Sequence, residues 1–392
     1  MDERNTGAAS QVGALQKKKQ RDGLFSARGI MAIAVTIALV VIASLVFVFR
    51  DRLTGEGLRS MFRGNQSAAV QSDAFTYEIG TGQVFTTATG NGLAVASSSA
   101  IELLNDAGGT VFKQMVSYGM PAVFGWSGGA LFCDLDGTGC VLADLRGGST
   151  AISFAGEILT ASMNENGWFA VVTEAMGYKG LVSVFDSAGA EQFEWWSGSG
   201  YVLKAVLSPD NRALAVLCAE VGGGKLHVFH LDSEEEQAVV EFDNELPFDL
   251  AFLGEDRLCL VSQNAVSFLA ADGTVKNRWE PGENYLLEYD LSGQDFAAFY
   301  LSPYRGGGGG VLVTLNREGK ALGRVETAHD VTGLSASGRR LLATNAAGLT
   351  VYGQDLSVLY EEERLMTAKK SILCPDGAIL MLSAYSAEKL IY

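Results

Sequence analysis

The chain has 392 residues, 48% of them hydrophobic, and 47 Gly against 6 Pro. This is ample for a large core and suits an all-β chain with many tight hairpins. Its formal charge of −16 is uneven: residues 1–72 hold ten Lys/Arg and five Asp/Glu (net +5), and residues 73–392 hold 19 and 40 (net −21), so the larger part repels phosphate backbones and nucleic acid is not an expected partner.

Residues 1–28 read as a disordered basic tail, polar and without apolar periodicity. The next 20 residues, 30–49, carry no charge, and only Thr36 and Ser44 are polar. At about 1.5 Å per residue this run spans the hydrocarbon core of a bilayer. A cleaved signal peptide is the alternative, but its shorter apolar region would end in small-x-small. This run ends in the bulky Val46-Phe-Val-Phe49, so residues 29–49 are read as an uncleaved signal anchor. Lys17, Lys18, Lys19, Arg21 and Arg28 precede it, and Arg50, Arg52, Arg59 and Arg63 follow. That bias is weak. Because a first span usually dominates and long domains cross regardless of charge, the expectation is a single-pass cell-membrane protein with a cytoplasmic N-terminus. Residues 50–72 read as a linker. Leu58, Met61 and Phe62 could make one interfacial helical turn there, although a plain tether is the simpler reading.

Beyond the linker a turn signal recurs eight times at spacings of 37 to 46 residues, beginning at Thr89, Ser127, Asn164, Ser208, Gly254, Ser292, Ser335 and Cys374. Each follows one apolar run and precedes another. Four strands per unit of about 40 residues is the pattern of a propeller blade. The first unit places strands at 83–87, 93–96, 101–104 and 111–116, and the fourth at 202–207, 213–218, 226–230 and 238–242. The last offers 370–374, 379–383 and 389–392, and then lacks an outer strand. Residues 74–79 alternate like a strand and belong to no other unit, so they are expected to close the ring as that missing strand. The expected fold is therefore all-β, an eight-bladed propeller over 73–392, with seven blades as the alternative. The turns between third and fourth strands support the register. They read Asn105-Asp-Ala-Gly-Gly109, Asp144-Leu-Arg-Gly-Gly148, Asp186-Ser-Ala-Gly189 and Asn316-Arg-Glu-Gly319, with Gly where positive φ is needed.

The turns Leu207-Ser-Pro-Asp210 and Cys374-Pro-Asp-Gly377, each before an apolar strand, resemble WD40-like and TolB-like propeller repeats, without the Trp-Asp and Gly-His pairs of true WD40 repeats. From residue 17 onward the layout of basic tail, single span and propeller looks like an uncharacterised family of membrane-anchored propellers from Gram-positive bacteria. That resemblance implies the architecture and no known activity.

Chemistry-bearing motifs are scarce. His227 and His230 sit three apart on one strand and so face opposite ways. Asp134-Leu-Asp-Gly-Thr-Gly139 begins like a calcium loop, but Thr138 and Leu145 stand where acidic ligands are needed. It reads better as a hairpin centred on Asp136-Gly137. No metal site, catalytic set or cofactor site is expected. The hairpin sets Cys133 directly opposite Cys140, as a hydrogen-bonded pair across which a disulfide is possible outside the cell. Gly306–Gly310 lacks the Lys-Ser/Thr and helix of a phosphate loop and is read as a flexible loop. Six residues before equivalent turn positions lie Lys204, Asp249 and Lys370; the first two belong to adjacent blades and are expected to pair near the channel mouth.

Loop length marks a binding surface. Second-to-third-strand loops are long in blades 3, 4 and 6, and expose Tyr178, Lys179, Tyr304 and Arg305 to a partner. In Trp195-Trp196 one ring should pack between blades and the other, taken as Trp196, should lie nearer solvent. The leading expectation is a membrane-anchored extracytoplasmic module for a protein or cell-envelope ligand. The alternatives are a channel-centred hydrolase, lyase or quinoprotein-like enzyme, and a transmembrane sensor.

Overall fold

Four-stranded antiparallel sheets form wherever three consecutive hairpins follow one another, and the chain does this eight times. The computed structural model describes residues 75–392, apart from 79, 89–91, 234 and 365. The expected tail, anchor and linker lie outside the described residues. Among the described residues no helix is long and apolar enough to cross a membrane.

Seven sheets take four strands in sequence order, and the eighth is ordered with Phe75–Thr76 outermost, beside Ser386–Leu390. The innermost strands, in chain order, are Val84–Ala88, Met120–Trp126, Ile158–Met163, Tyr201–Leu207, Pro247–Phe252, Tyr285–Gly293, Gly333–Ser337 and Lys370–Leu373. The fold is therefore an eight-bladed propeller, and the seven-blade alternative falls. The closing strand is shorter than the expected 74–79: Phe75 pairs with Ala387 and Thr76 with Ser386, and Tyr77 N donates to Tyr385 O at 3.2 Å. The last blade's third strand is Ser386–Leu390, not 389–392.

Second strands are buried along most of their length, and Phe169–Thr173 and Phe296–Ser302 along all of it. They lie between neighbouring blades, so both faces pack and the sequence reads as a continuous apolar run. Outer strands alternate instead: Glu191–Ser197 buries only every other side chain to any degree. Eight apolar clusters fill the eight seams between blades. In the closing seam Phe75, fully buried, packs with Leu93 and Leu104 of blade 1 and Leu380 of blade 8.

Four of the third-to-fourth-strand turns share one construction. The side-chain oxygen of Asn105, Asp144, Asp186 or Asn316 accepts the backbone N–H groups two and four residues on, at 2.7 to 3.1 Å. The glycine three on has φ between 71° and 85°, a conformation only glycine adopts without cost. The turn between Cys133 and Cys140 differs from expectation. Gly137 N donates to Asp134 O, so Leu135 and Asp136 occupy its centre, with Asp136 at φ 66°. Asp tolerates that region through its short polar side chain.

The glycine run also departs from the sequence reading. Gly308 N and Gly309 N donate to the Asp330 carboxylate at 2.8 and 3.0 Å, and Tyr300 Oη donates to it at 2.9 Å. The loop is thus pinned, because its glycines let two successive N–H groups converge on one carboxylate. Those backbone bonds hold the Asp330 carboxyl below its ordinary value of 3.8. A depressed carboxyl contributes order above its unfolded pKa, and that contribution is lost as pH falls through the folded value. Asp330→Ala should therefore speed pepsin cleavage beside Tyr304 above pH 3.8, while the natural chain reaches that rate only in stronger acid. Equal cleavage of the two proteins at every pH would show that the carboxylate does not hold the loop.

Candidate functional site

Two features could carry function: the central channel, and the face where second-to-third-strand loops meet the connections between blades. We term the latter the loop face and the opposite end the turn face.

Five adjacent innermost strands, those of blades 2 to 6, line a channel cavity of about 520 Å³. Lys204 of blade 4 forms an ion pair with Asp249 Oδ1 of blade 5. Tyr289 of blade 6 donates its hydroxyl to Asp249 Oδ2 at 2.8 Å, and Leu250 N donates to Asp249 Oδ1 at 2.7 Å. Further round, Asp290 Oδ1 accepts from Ser292 N and Oγ at 2.8 and 2.5 Å. Lys370 of blade 8 acts on Asp290 only through space; its Nζ donates to Phe85 O at 3.4 Å. Lys370 thus parts from Lys204 and Asp249, although its turn spacing matches theirs.

Dense protein around the channel penalises charge. Burial pushes the Glu288 and Asp290 carboxyls up, in the second case against the Ser292 hydrogen bonds and the Lys370 charge. Burial pulls Lys370 down, partly offset by Asp290, although the residue as a whole is exposed. Tyr289 is raised by burial and then by the Asp249 charge. These groups drift toward their neutral forms and can donate and accept hydrogen bonds to a small polar guest. Two hydroxyls meet carboxylates here, Ser292 Oγ on Asp290 and Tyr289 Oη on Asp249, and each contact ties neighbouring side chains of the wall together. Among the described residues no three His, Cys, Asp or Glu side chains could together hold a metal. His227 is buried against the Trp195 ring (4.9 Å) and meets Glu236 at 3.2 Å, and its pKa is lowered by burial. His230, on the other side of the strand, is exposed.

The loop face is the apolar one. Of 17 large apolar side chains exposed among the described residues, 13 lie at this end of their strands or in its loops. Val239 lies mid-strand on the rim, and only Val275, Val358 and Leu359 sit at the turn face. This segregation is too strong for scattered surface hydrophobes, which need no explanation singly. Across blades 3 and 4 it forms a patch: Tyr178 and Trp196 place their ring centroids 5.0 Å apart, and Lys179 Nζ lies 4.7 Å above the Tyr201 ring. In blade 6 Arg305 sits 5.1 Å from the Tyr285 ring centroid beside the exposed Tyr304. The sequence-chosen residues therefore fall into two groups, in blades 3–4 and in blade 6, on one face. Trp195 is the inward member of its pair, and Trp196 is 45% exposed.

Sequence reasoning missed Tyr201, Phe248 and Tyr285, which are exposed at or next to the start of innermost strands. An apolar residue there reads as core, so only their place at a strand's loop-face end could have flagged them. Tyr289 and Asp290 were also missed.

Cys133 and Cys140 stand directly opposite on adjacent strands, with sulfur atoms 2.6 Å apart, and both are buried thiols.

A family model described as a family of unknown function, DUF5711, matches residues 67–372. No curated protein matches the sequence significantly. Among solved structures, BamB from Moraxella catarrhalis is 13% identical, with a TM-score of 0.51 over 81% of this chain and 98% of that one. The C-terminal WD40 domain of Sif2 is 11% identical, with a TM-score of 0.54 over the same shares of the two chains. The dihydro-heme d1 dehydrogenase NirN, in complex with DHE, is 14% identical, with a TM-score of 0.53 over 74% and 67%. At such identities the likeness shows the propeller fold alone.

Proposed function

The chain belongs to the family of unknown function DUF5711, and from that premise we propose that it is a membrane-tethered binding module that presents its loop face to a protein of the cell envelope. The concentration of exposed aromatic and aliphatic side chains on that face carries the reading. Tyr, Trp and Arg are the residues that most often anchor protein interfaces, and here they stack in pairs. Tethering follows from the uncharged run 30–49, and an outside location from the rule that a first span usually sets orientation while long domains cross regardless of charge. The Gram-positive source implied by the sequence layout fits such an anchor.

Among the described residues no His lines the channel cavity and no metal-ligand cluster forms, so a channel-centred enzyme has less support than the apolar face gives to binding. Transmembrane signalling finds no support among the described residues.

Photo-crosslinking side chains installed at Trp196, Tyr201 or Val275 in the full-length chain would test this in intact cells of the source. Positions 196 and 201 should trap one recurrent partner and 275 should not. Capture at 275 alone, or at none of the three, would refute a loop-face interface.

A further inference from the structure

We propose that Cys133 and Cys140 are an oxidation site, closing to a cross-strand disulfide within blade 2 when the chain folds in contact with a disulfide oxidant. The inference stands on the pair's own geometry and does not depend on the binding role. The two residues are register partners on the second and third strands, Gly129–Leu135 and Gly139–Asp144. Their sulfur atoms are 2.6 Å apart, nearer than two unbonded sulfurs rest (about 3.6 Å, twice the sulfur radius). Directly opposite residues on antiparallel strands also set their Cα atoms about 4.5–5.5 Å apart, within the range that a disulfide spans. The other three cysteines, Cys218, Cys259 and Cys374, are buried in the separate seams of blades 3–4, 5–6 and 8–1, so each lacks an opposite thiol and serves as an internal control.

The chemistry is thiol–disulfide exchange with a small aliphatic disulfide such as oxidised glutathione. One cysteine loses its proton to solvent, and its thiolate attacks a sulfur of the reagent. One glutathione thiolate leaves and takes a proton, giving a mixed disulfide. The second cysteine, deprotonated in turn, attacks the protein sulfur of that mixed disulfide and expels the other glutathione. The protein loses two thiol protons and two electrons, and the reagent takes up both and becomes two thiols. Both side chains are no more than 1% exposed, and burial raises the Cys133 thiol well above its ordinary value. Thiolate is therefore scarce once the blade has packed. The exchange belongs to the folding chain, and the finished bond is then shielded from reductant.

The test is to denature the full-length chain in detergent, refold it in a glutathione redox buffer or in excess reductant, then denature it again and alkylate. The reduced sample should take up alkyl groups at all five cysteines. The oxidised sample should take them up only at Cys218, Cys259 and Cys374, with two hydrogens lost and a linked 133–140 peptide pair. Cys140→Ala should alkylate at each of its remaining cysteines after either refolding. Because the decisive reading comes from the natural sequence, a poorly folding variant does not obscure it. Full alkylation of a correctly refolded oxidised sample, or a bond linking Cys133 to any cysteine other than Cys140, would overturn the proposal.

Discussion

Replacing Phe75 by Ala should lower the stability of the whole propeller by about 3–5 kcal/mol, the cost of emptying a fully buried aromatic site. Its ring is 0% exposed and fills the seam between the last blade and the first. A Cβ on Gly108 would lie 3.5 Å from that ring, so the wall around it is backbone and cannot collapse into the gap. The strand is only two residues long, and few other bonds hold it. Tyr77 adds one clamp: its hydroxyl lies 2.8 Å from both Ser383 O and Ser386 O, and burial pushes its pKa up to about 12. Tyr77→Phe should cost about 1 kcal/mol, the worth of one hydrogen bond. Loss at position 75 differs from a core cavity elsewhere because this strand joins the two ends of the ring. Every other outer strand follows its blade's third strand through a short turn, whereas this one comes from the opposite end of the described chain and is held in its blade by pairing and packing alone. Urea unfolding of the full-length chain in detergent, followed by tryptophan fluorescence, measures the change. Val239→Ala on the rim, where the side chain is 44% exposed, is the control and should shift stability by under about 0.5 kcal/mol. If Phe75→Ala cost no more than that control, the N-terminal segment would not be the clasp.

The ring could be read from the sequence because its punctuation is local chemistry. Asn or Asp followed by Gly makes a turn from side chain to backbone without reference to the rest of the fold, and fully apolar second strands announce burial on both faces. Where a turn lacked those residues the reading slipped. The hairpin before Ser386–Leu390 is made by Ser383, whose hydroxyl meets Tyr385 N and Ser386 N at 3.4 and 3.2 Å. No Gly or Asp marks it, and the strand was set three residues late. Spacing from the turns placed Lys204 and Asp249 in one site but could not place Tyr289. The innermost strand of blade 6 is irregular between Leu286 and Glu288 and again between Asp290 and Gly293, which breaks any fixed count from its turn. The loop-face patch was half legible. Long loops point to Tyr178 and Tyr304, but whether Tyr201 or Phe248 meets solvent depends on how neighbouring blades end, which no single blade's sequence encodes.

Asp249→Ala should destabilise the protein by about 2–3 kcal/mol, and Lys204→Met by less than about 1 kcal/mol, although they are the two halves of one ion pair. The asymmetry comes from the number of groups each serves. Asp249 accepts from Lys204, from Tyr289 Oη and from Leu250 N, so its removal leaves a phenol, an ammonium and an amide to find other partners in the channel. When Lys204 goes, Asp249 keeps two hydrogen bonds, and the methionine stem still covers the apolar wall that the lysine stem covered. Side-chain exposures of 30% for Lys204 and 19% for Asp249 put the pair between the surface and buried limits, which is why neither figure reaches the 3–5 kcal/mol or so of a fully desolvated pair. Tyr289→Phe should cost about 1 kcal/mol, and in the Asp249→Ala background almost nothing, because its partner is already gone. Raising salt from low to molar concentration should narrow the gap between the natural chain and Lys204→Met while leaving the Tyr289→Phe difference unchanged. Equal losses for Asp249→Ala and Lys204→Met, or strict additivity of Tyr289→Phe with Asp249→Ala, would show that the carboxylate does not organise this wall. The network would then be a set of independent surface contacts, and the channel would have no preformed polar centre.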